Sequence, residues 1–262
     1  MIIVTNRDLQ PRHTATRRFG RDFNAEGPDE LRLATATRSA RGRWTVKILP
    51  DASRVGRRKA PTSERVFLDL QKRMRARCRD AVLFVHGYNN DFRDVLERGH
   101  RLERDYDVEV VCFTWPADGN GGRGRLRGSL AGTLAYKSDK NDAVRSVPAF
   151  DRTLQKLAEY LGRYRDDRCD GRVSLLLHSM GNYLFKHLLK SSIYEGETEI
   201  FDNVLLCAAD VNNEAHEEWL DRVQYRRRLY VTLNENDVAL AASRLKFGAK
   251  QRARLGLSLI HI

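Results

Sequence analysis

The sequence predicts an α/β protein in which a mostly parallel sheet is covered by helices on both faces. From residue 61 onward, short apolar runs of strand length alternate with amphipathic stretches of helical spacing. Continuous apolar strands separated by such helices are typical of a buried parallel sheet. The chain of 262 residues is long enough for one large domain with a substantial core.

The order of the elements follows from the same pattern. Strands are expected at 1–5, 31–37, 43–49, 81–86, 108–115, 172–178, 203–209 and 228–234. Helices are expected from Pro61 with Thr62 or Ser63, over 91–106, across Val147 to Leu161, after residue 181 and near 213–221. Segment 50–64 is interpreted as a linker or surface loop. We expect residues 1–60 to extend the sheet of the same domain and residues 61–256 to form its core.

Composition and charge exclude several classes of protein. The formal net charge is +12, but the basic residues are spread along the chain among many acidic ones, so we expect no nucleic-acid partner. No apolar run approaches the roughly 20 residues that cross a bilayer, and no secretory signal is evident. The four cysteines lack metal-type spacing. We therefore expect a cytoplasmic protein without a metal or other cofactor.

Ser179 lies where a predicted buried strand turns sharply into a predicted helix. The segment His178-Ser179-Met180-Gly181 is a variant of Gly-x-Ser-x-Gly, with Leu177 in place of the first glycine. A hydroxyl at such a turn projects above the sheet beside the free N–H groups of a helix N-terminus. The alternative is an ordinary serine N-cap. Another predicted buried strand, two strands before the one that ends at Ser179, ends at His86-Gly87. Its presence favours the catalytic interpretation of Ser179 over the N-cap.

Several short motifs, in this order and spacing, resemble a poorly characterised bacterial family of α/β-hydrolases of unknown function. They are TNR (5–7), FVHGYNNDF (84–92), FTWPADG (113–119), AYKSDKNDA (135–143), HSMGNYL (178–184), the aspartate after CAA (207–210) and NDVALAAS (236–243). The resemblance covers nearly the whole chain. It implies the α/β-hydrolase fold, with N-terminal strands extending the sheet, and a serine hydrolase of unassigned substrate.

The resemblance also implies a role for each site residue. Ser179 would be the nucleophile, and the backbone N–H groups of Tyr88 and Met180 would form the oxyanion hole. Asp237 would be the acid that orients the catalytic histidine, with Asp210 as the alternative one strand earlier. The expected pocket residues are His86, Gly87, Trp115, His178 and Gly181. The glycine-rich segment 119–124 is expected to be a flap rather than a dinucleotide site.

The catalytic base is the residue that the sequence leaves open. The histidines are His13, His86, His100, His178, His187, His216 and His261. In this fold the base follows the last strand, a position that only His261 matches. However, residues 257–262 (LSLIHI) correspond to the translated end of a transposon adapter used in sequencing libraries. We therefore expect native sequence to end near Gly256 in this chain, which would be truncated before its catalytic histidine, with His261 as a weak candidate.

Two functions of different classes follow. The first is hydrolysis of a carboxylic ester of a small molecule or lipid through an acyl-serine intermediate, with thioesters and amides left open. The alternative is a non-catalytic binding module that uses a basic surface to hold an anionic partner. A probe that labels only activated serines separates the two. The sequence does not address the oligomeric state.

Overall fold

The computed structural model describes residues 1–117, 130–164, 170–243 and 253–257. Its main element is an eight-stranded sheet with the strand order β12-β11-β10-β8-β9-β1-β4-β5. The strands of this sheet are β1 (Ile2–Thr5), β4 (Arg32–Arg38), β5 (Trp44–Ile48), β8 (Ala81–Val85), β9 (Glu109–Thr114), β10 (Val173–His178), β11 (Asn203–Cys207) and β12 (Arg228–Val231). Each corresponds to a strand expected from the sequence, within a few residues at the ends.

The sheet is parallel from β12 to β1 and antiparallel at its other end. β1 pairs in parallel with β9, and β4 pairs antiparallel with both β1 and β5. The N-terminal strands therefore continue the sheet of the core, as expected. Because β8 and β10 are direct neighbours, their carboxyl ends lie side by side at one edge of the sheet.

Seven helices occur in the described part of the chain. They are α1 (Thr62–Arg77), α2 (Phe92–Tyr106), α3 (Leu130–Arg145), α4 (Val147–Arg163), α5 (Gly181–Lys190), α6 (Glu217–Leu220) and α7 (Val238–Ser243). Within the described ranges, no helix is long and apolar enough to cross a membrane. α3 was not predicted, since its sequence lacks the apolar stripe that marks α2 and α4.

Helices pack on both faces of the sheet because successive strand residues point to opposite faces. In β8, Leu83 and Val85 belong to a core cluster that includes apolar residues of α1, α4 and α5. Phe84, between them, belongs to a second cluster that includes Phe92 and Val95 of α2. This arrangement confirms the α/β class expected from the sequence.

Two hairpins depart from the expected organisation. The segment interpreted as a linker or loop, 50–64, contains β6 (Ala52–Val55) and β7 (Arg58–Pro61), which pair antiparallel. That interpretation was wrong because the two-residue turn beginning with Gly56, at φ 59°, is of the kind that hairpins favour. The second hairpin joins β2 (Arg7–Leu9) to β3 (Phe19–Phe23) outside the main sheet.

Candidate active site

Ser179 occupies a strained turn between β10 and α5. Its φ of 53° lies in the left-handed region, which a residue with a side chain rarely adopts without support. The support comes from neighbouring backbone: the Ser179 N–H donates to the Cys207 carbonyl at 2.9 Å, and its own carbonyl accepts from the Asp210 N–H at 3.3 Å. Ser179 is half-buried, and its hydroxyl makes no hydrogen bond to any residue that the structure describes.

Two glycines allow the end of β8 to pack directly against this turn. A Cβ on Gly87 would lie 2.6 Å from the Ser179 Cβ and 2.8 Å from the His178 carbonyl oxygen. A Cβ on Gly181 would lie 2.8 Å from the His86 carbonyl oxygen. Leu177, by contrast, is fully buried in the core cluster, so a large side chain is accommodated where the Gly-x-Ser-x-Gly pattern has its first glycine.

Asn182 stabilises the Ser179 turn through its side-chain amide. Its Nδ2 lies 3.2 Å from the Leu177 carbonyl, 3.0 Å from that of Ser179 and 3.3 Å from that of Cys207. The side chain is fully buried and thus connects β10, the turn and β11 through one amide. Sequence reasoning did not single out Asn182, although its position in HSMGN was visible.

The loop after β8 is held by a buried polar network centred on His86. Its Nδ1 donates to the Gly87 carbonyl at 2.9 Å, while its Nε2 accepts from the Trp115 N–H at 3.2 Å and lies 3.0 Å from the Thr114 hydroxyl. Burial, reinforced by the charge of Arg7, holds the pKa of His86 well below its usual value. His86 is therefore neutral and fully engaged, and it supports the loop rather than acting on substrate.

Trp115 lies beneath the site as well. It is fully buried and its ring stacks on His86 with the centroids 5.3 Å apart. Of the expected pocket residues, Gly87, His178 and Gly181 thus surround Ser179, while His86 and Trp115 form the layer below. The glycine-rich segment 119–124 and His261 lie outside the described residues.

Arg7, in the N-terminal hairpin, reaches the same loop. Its guanidinium donates to the Thr114 hydroxyl at 2.9 Å, to the Asn90 carbonyl at 2.8 Å and to the Gly20 carbonyl at 3.0 Å. Asn90 in turn donates from Nδ2 to the Gly87 and Tyr88 carbonyls. Arg7 is fully buried, so the N-terminal hairpin is structurally part of the loop that carries the Tyr88 N–H.

We expect Arg7→Met to slow the reaction of Ser179 with a fluorophosphonate by about 10²-fold, the scale of losing one oxyanion-hole donor. The physical reason is that the loop bearing the Tyr88 N–H loses its hydrogen bond from Arg7 at Asn90 and, with it, the link through Arg7 to Thr114 and Gly20, so that it shifts away from Ser179. The measurement is the maximal phosphonylation rate and the apparent affinity of the probe, determined separately. A displaced N–H group lowers the rate, whereas affinity changes little. Arg21→Met, an exposed arginine of the same hairpin, is the matched control.

His178 is adjacent to Ser179 but poorly suited to act as its base. Burial, with a smaller effect of the Arg98 charge, lowers the pKa of His178 to about 4. Its buried Nδ1 has no hydrogen-bond partner among the described residues, and a Cβ on Gly87 would lie 3.2 Å from it. The ring is therefore neutral and packed against the β8 loop.

Asp210, the alternative acid, is already saturated with donors. Its Oδ2 accepts from the Tyr136 hydroxyl at 2.9 Å, and its Oδ1 accepts from the Ser243 hydroxyl at 2.8 Å and lies 3.1 Å from Arg254 Nε. Asp210 and Arg254 are both buried, so this is an interior ion pair. Arg254 extends the network to Asn212 at 2.7 Å.

Asp237 precedes α7 and has one oxygen available. Its Oδ1 accepts from the N–H groups of Ala239 and Leu240 at 2.9 and 3.0 Å, which caps the helix. Its Oδ2 makes no hydrogen bond within the part of the chain that the structure describes. The negative charge of Asp237 raises the pKa of His178 slightly, against the larger lowering by burial.

The remaining described histidines are engaged or distant. His187 packs against the Tyr183 ring at 4.5 Å, and His216 Nδ1 lies 2.5 Å from the Asn213 carbonyl. His100 of α2 contacts Trp44 of β5, and His13 is exposed in the N-terminal hairpin. The structure thus brings together Ser179, the Gly87–Tyr88 loop and the start of α5, but it places no described histidine as the partner of Ser179.

One wall beside the site carries positive charge. Lys140 of α3 lies 5.1 Å from the Tyr136 ring centroid and 4.7 Å from that of Tyr183, in cation–π contact with both. Burial and the neighbouring charge of Arg254 lower the pKa of Lys140. The Tyr88 ring meets the Tyr136 ring at 5.5 Å, so α3 adjoins the loop after β8. Among the described residues, no cluster of His, Cys, Asp and Glu could hold a metal ion.

Comparison with known proteins places this geometry in a family. The uncharacterized protein alr1448 of Nostoc sp. (strain PCC 7120 / SAG 25.82 / UTEX 2576) is 29% identical over 86 residues, or 33% of this chain. The aligned part is 17% of that relative, so the chain spans less than a fifth of its length. No solved structure matches the chain. A model of the family DUF900, alpha/beta hydrolases of unknown function, matches residues 62–258. This range begins at α1 and includes every element of the site except the N-terminal hairpin. The chain therefore belongs to this family.

Proposed function

We propose that this protein is a serine hydrolase that cleaves carboxylic esters through an acyl-serine intermediate. The observation that carries the proposal is the turn at Ser179, where a left-handed serine lies in van der Waals reach of the Gly87 backbone. An ordinary N-cap serine needs neither that strained conformation nor a second loop packed against it. Such a turn exposes the hydroxyl to substrate at the carboxyl edge of the sheet.

The reaction would proceed in two acyl transfers. The Ser179 oxygen attacks the ester carbonyl while its proton passes to a base, and the carbonyl oxygen becomes an oxyanion that accepts from the Tyr88 and Met180 N–H groups. Collapse of this intermediate expels the alcohol, which takes the proton from the base, and leaves the acyl-serine. Water then attacks the acyl carbon with the same base, which releases the acid and restores the hydroxyl.

We assign the orienting acid to Asp237 rather than Asp210. The carboxylate of Asp210 is satisfied by Tyr136, Ser243 and Arg254, so an imidazole would have to displace one of these donors. Asp237 uses one oxygen to cap α7 and leaves the other to accept from a ring N–H. An acid in this role holds the histidine tautomer and stabilises its charged form.

We assign the base to a histidine outside the described residues. Of the seven histidines in the sequence, His261 is the one that lies outside the described residues. Leu257, the first residue attributed to the adapter, is buried, and the other five lie outside the described part.

The test is covalent labelling of the 262-residue chain with an uncharged fluorophosphonate, followed by mass mapping of the labelled residue. We expect Ser179 to be labelled, slowly without additive and faster with imidazole in the buffer if the base is absent. If His261 is the base, His261→Ala slows labelling and imidazole restores it. Absence of labelling under every condition would overturn the proposal.

A binding module for an anionic partner is the second candidate, and Lys140 is the observation that favours it. Its ammonium contacts the rings of Tyr136 and of Tyr183, which follows Ser179 by four residues, and no carboxylate pairs with it among the described residues. The labelling experiment separates the candidates, since a binding module has no activated serine. Calorimetric binding of an aromatic carboxylate that Lys140→Met weakens, together with no serine labelling, would favour this second function.

A further inference from the structure

A cavity lies toward the amino ends of the parallel strands, away from Ser179. It has a volume of about 390 Å³ and lies between one face of the sheet and the helices α1 and α4. Its lining includes Ile2, Leu83 and Val173 from the sheet, Leu70 and Met74 from α1, and Leu157 from α4. The strand residues at its floor include Ala81 and Val173, which begin β8 and β10.

The cavity is separate from the candidate active site. Val173 is the first residue of β10, and Ser179 follows the last, so the strand itself spaces the two sites by about 20 Å. The cavity belongs to the amino ends of the parallel strands, whereas catalysis in such sheets occurs at the carboxyl ends. Any ligand here is therefore distinct from a substrate poised at Ser179.

The chemistry of the lining defines what can fill it. The cavity opens to solvent at a charged rim, and its inner walls are mostly apolar. Water does not fill an apolar cavity well, because each molecule needs several polar partners. The volume corresponds to roughly a dozen water-sized groups at about 30 Å³ each. A linear hydrocarbon chain of about a dozen carbons matches both the volume of the cavity and its apolar walls.

The rim of the cavity carries balanced charge. Glu30 and Asp51 contribute two acidic side chains and Arg152 and Lys156 two basic ones. Arg152 pairs with Glu30 at 3.3 Å and donates to the Asp29 carbonyl at 3.1 Å, which ties α4 to the segment before β4. Lys156 pairs with Glu159 at 2.7 Å. An anionic headgroup would have to break one of these pairs to reach a cation, and a cationic headgroup would meet Arg152 and Lys156 at the same rim, whereas an uncharged one does neither.

A hydroxyl pair offers a polar anchor to such a headgroup. Ser63 Oγ and Tyr160 Oη lie 2.7 Å apart, and both residues line the cavity. One of the two hydroxyls donates to the other, which leaves one proton and spare lone pairs for a ligand oxygen. An alcohol or ester oxygen can both match this pair and leave the ion pairs of the rim intact.

We propose that this cavity binds an uncharged single-chain amphiphile, with a hydrocarbon chain of about a dozen carbons inside and an alcohol or ester oxygen at the Ser63–Tyr160 pair. The inference does not depend on the proposed hydrolase reaction. It requires the N-terminal strand β1, which supplies part of the wall together with the core of the family.

The test is calorimetric titration of the chain with 1-dodecanol, sodium dodecanoate and dodecyltrimethylammonium, each below its aggregation concentration. We expect one dodecanol per chain and at least tenfold weaker binding of both charged analogues. Ala81→Phe, which fills the cavity from the floor, should abolish dodecanol binding. Equal binding of all three probes, or dodecanol binding that survives Ala81→Phe, would mean surface association only and would overturn the proposal.

A second pair of variants keeps the proposal testable if Ala81→Phe fails to fold. Leu70→Ala enlarges the cavity by the volume of the removed side-chain carbons. The alcohol that binds most tightly should therefore be longer by about one to three carbons. Leu188→Ala, a fully buried leucine of α5 that does not line the cavity, is the matched control and should leave the preferred length unchanged. No dodecanol binding to the unaltered chain would also overturn the proposal.

Discussion

Replacement of Ser179 by alanine is expected to lower ester turnover by about 10⁴-fold or more, because the acyl-enzyme can no longer form. The measurement is hydrolysis of an uncharged chromogenic ester, with imidazole present if the labelling experiment shows that the base is missing. The residual rate reflects only the oxyanion-hole N–H groups and substrate binding. Since the Ser179 backbone makes the hydrogen bonds of the turn, the variant should remain folded.

Ser191→Ala is the matched control for this experiment. Ser191 follows α5, and its hydroxyl donates to the Leu188 carbonyl at 2.7 Å, far along the helix from the turn. We expect this variant to retain turnover within a factor of about two, since a surface substitution away from the site changes little. Turnover that survives Ser179→Ala at the parental rate would assign the activity to another group and refute the acyl-serine mechanism.

Arg254→Met is expected to reduce the free energy of unfolding by about 3–5 kcal/mol, because it leaves the buried Asp210 carboxylate without its cationic partner. Arg254 is 2% exposed and Asp210 3%, so water cannot compensate for the lost charge. Arg254 also donates to the Ser243 hydroxyl of α7 at 2.9 Å, which couples that helix to the segment that contains Arg254. The measurement is equilibrium denaturation monitored by tryptophan fluorescence.

The double variant with Asp210→Asn is the control for this prediction. Removing both charges leaves neutral groups that are less costly to bury, so the double variant should be more stable than Arg254→Met alone. If Asp210 were instead the catalytic acid, Asp210→Asn would lower turnover strongly with little change in stability. A loss of less than about 1 kcal/mol for Arg254→Met would contradict the buried ion pair.

The buried network around Asp210 shows why the choice of acid needed the structure. In sequence, Asp210 and Asp237 each follow a strand near the nucleophile, and either could approach a histidine. Only the packing of α3, α7 and the segment at Arg254 brings three donors onto Asp210. These partners come from positions up to 74 residues away, and no local pattern encodes such contacts.

Local patterns were sufficient for the architecture. Short runs of strand-forming residues bounded by polar turns predicted every strand of the main sheet. The signal was strongest for the central strands, because a strand buried on both faces excludes polar residues. These patterns failed at Ala52–Val55 and Arg58–Pro61, an antiparallel pair in a polar hairpin where Ala60 is the one buried residue, which leaves no apolar signature. They also missed α3, whose apolar residues do not form one stripe.

The sequence by itself determined the fold class, the family motifs and Ser179 at the strand–helix junction, since each depends on residues close together in the chain. The tertiary structure decided the rest. Arg7 became part of the loop at Gly87 through contacts with Thr114 and Asn90, more than 80 residues away, and a cavity formed where β1 meets α1 and α4. Both features depend on how distant segments pack, and burial makes those contacts strong only once the chain has folded.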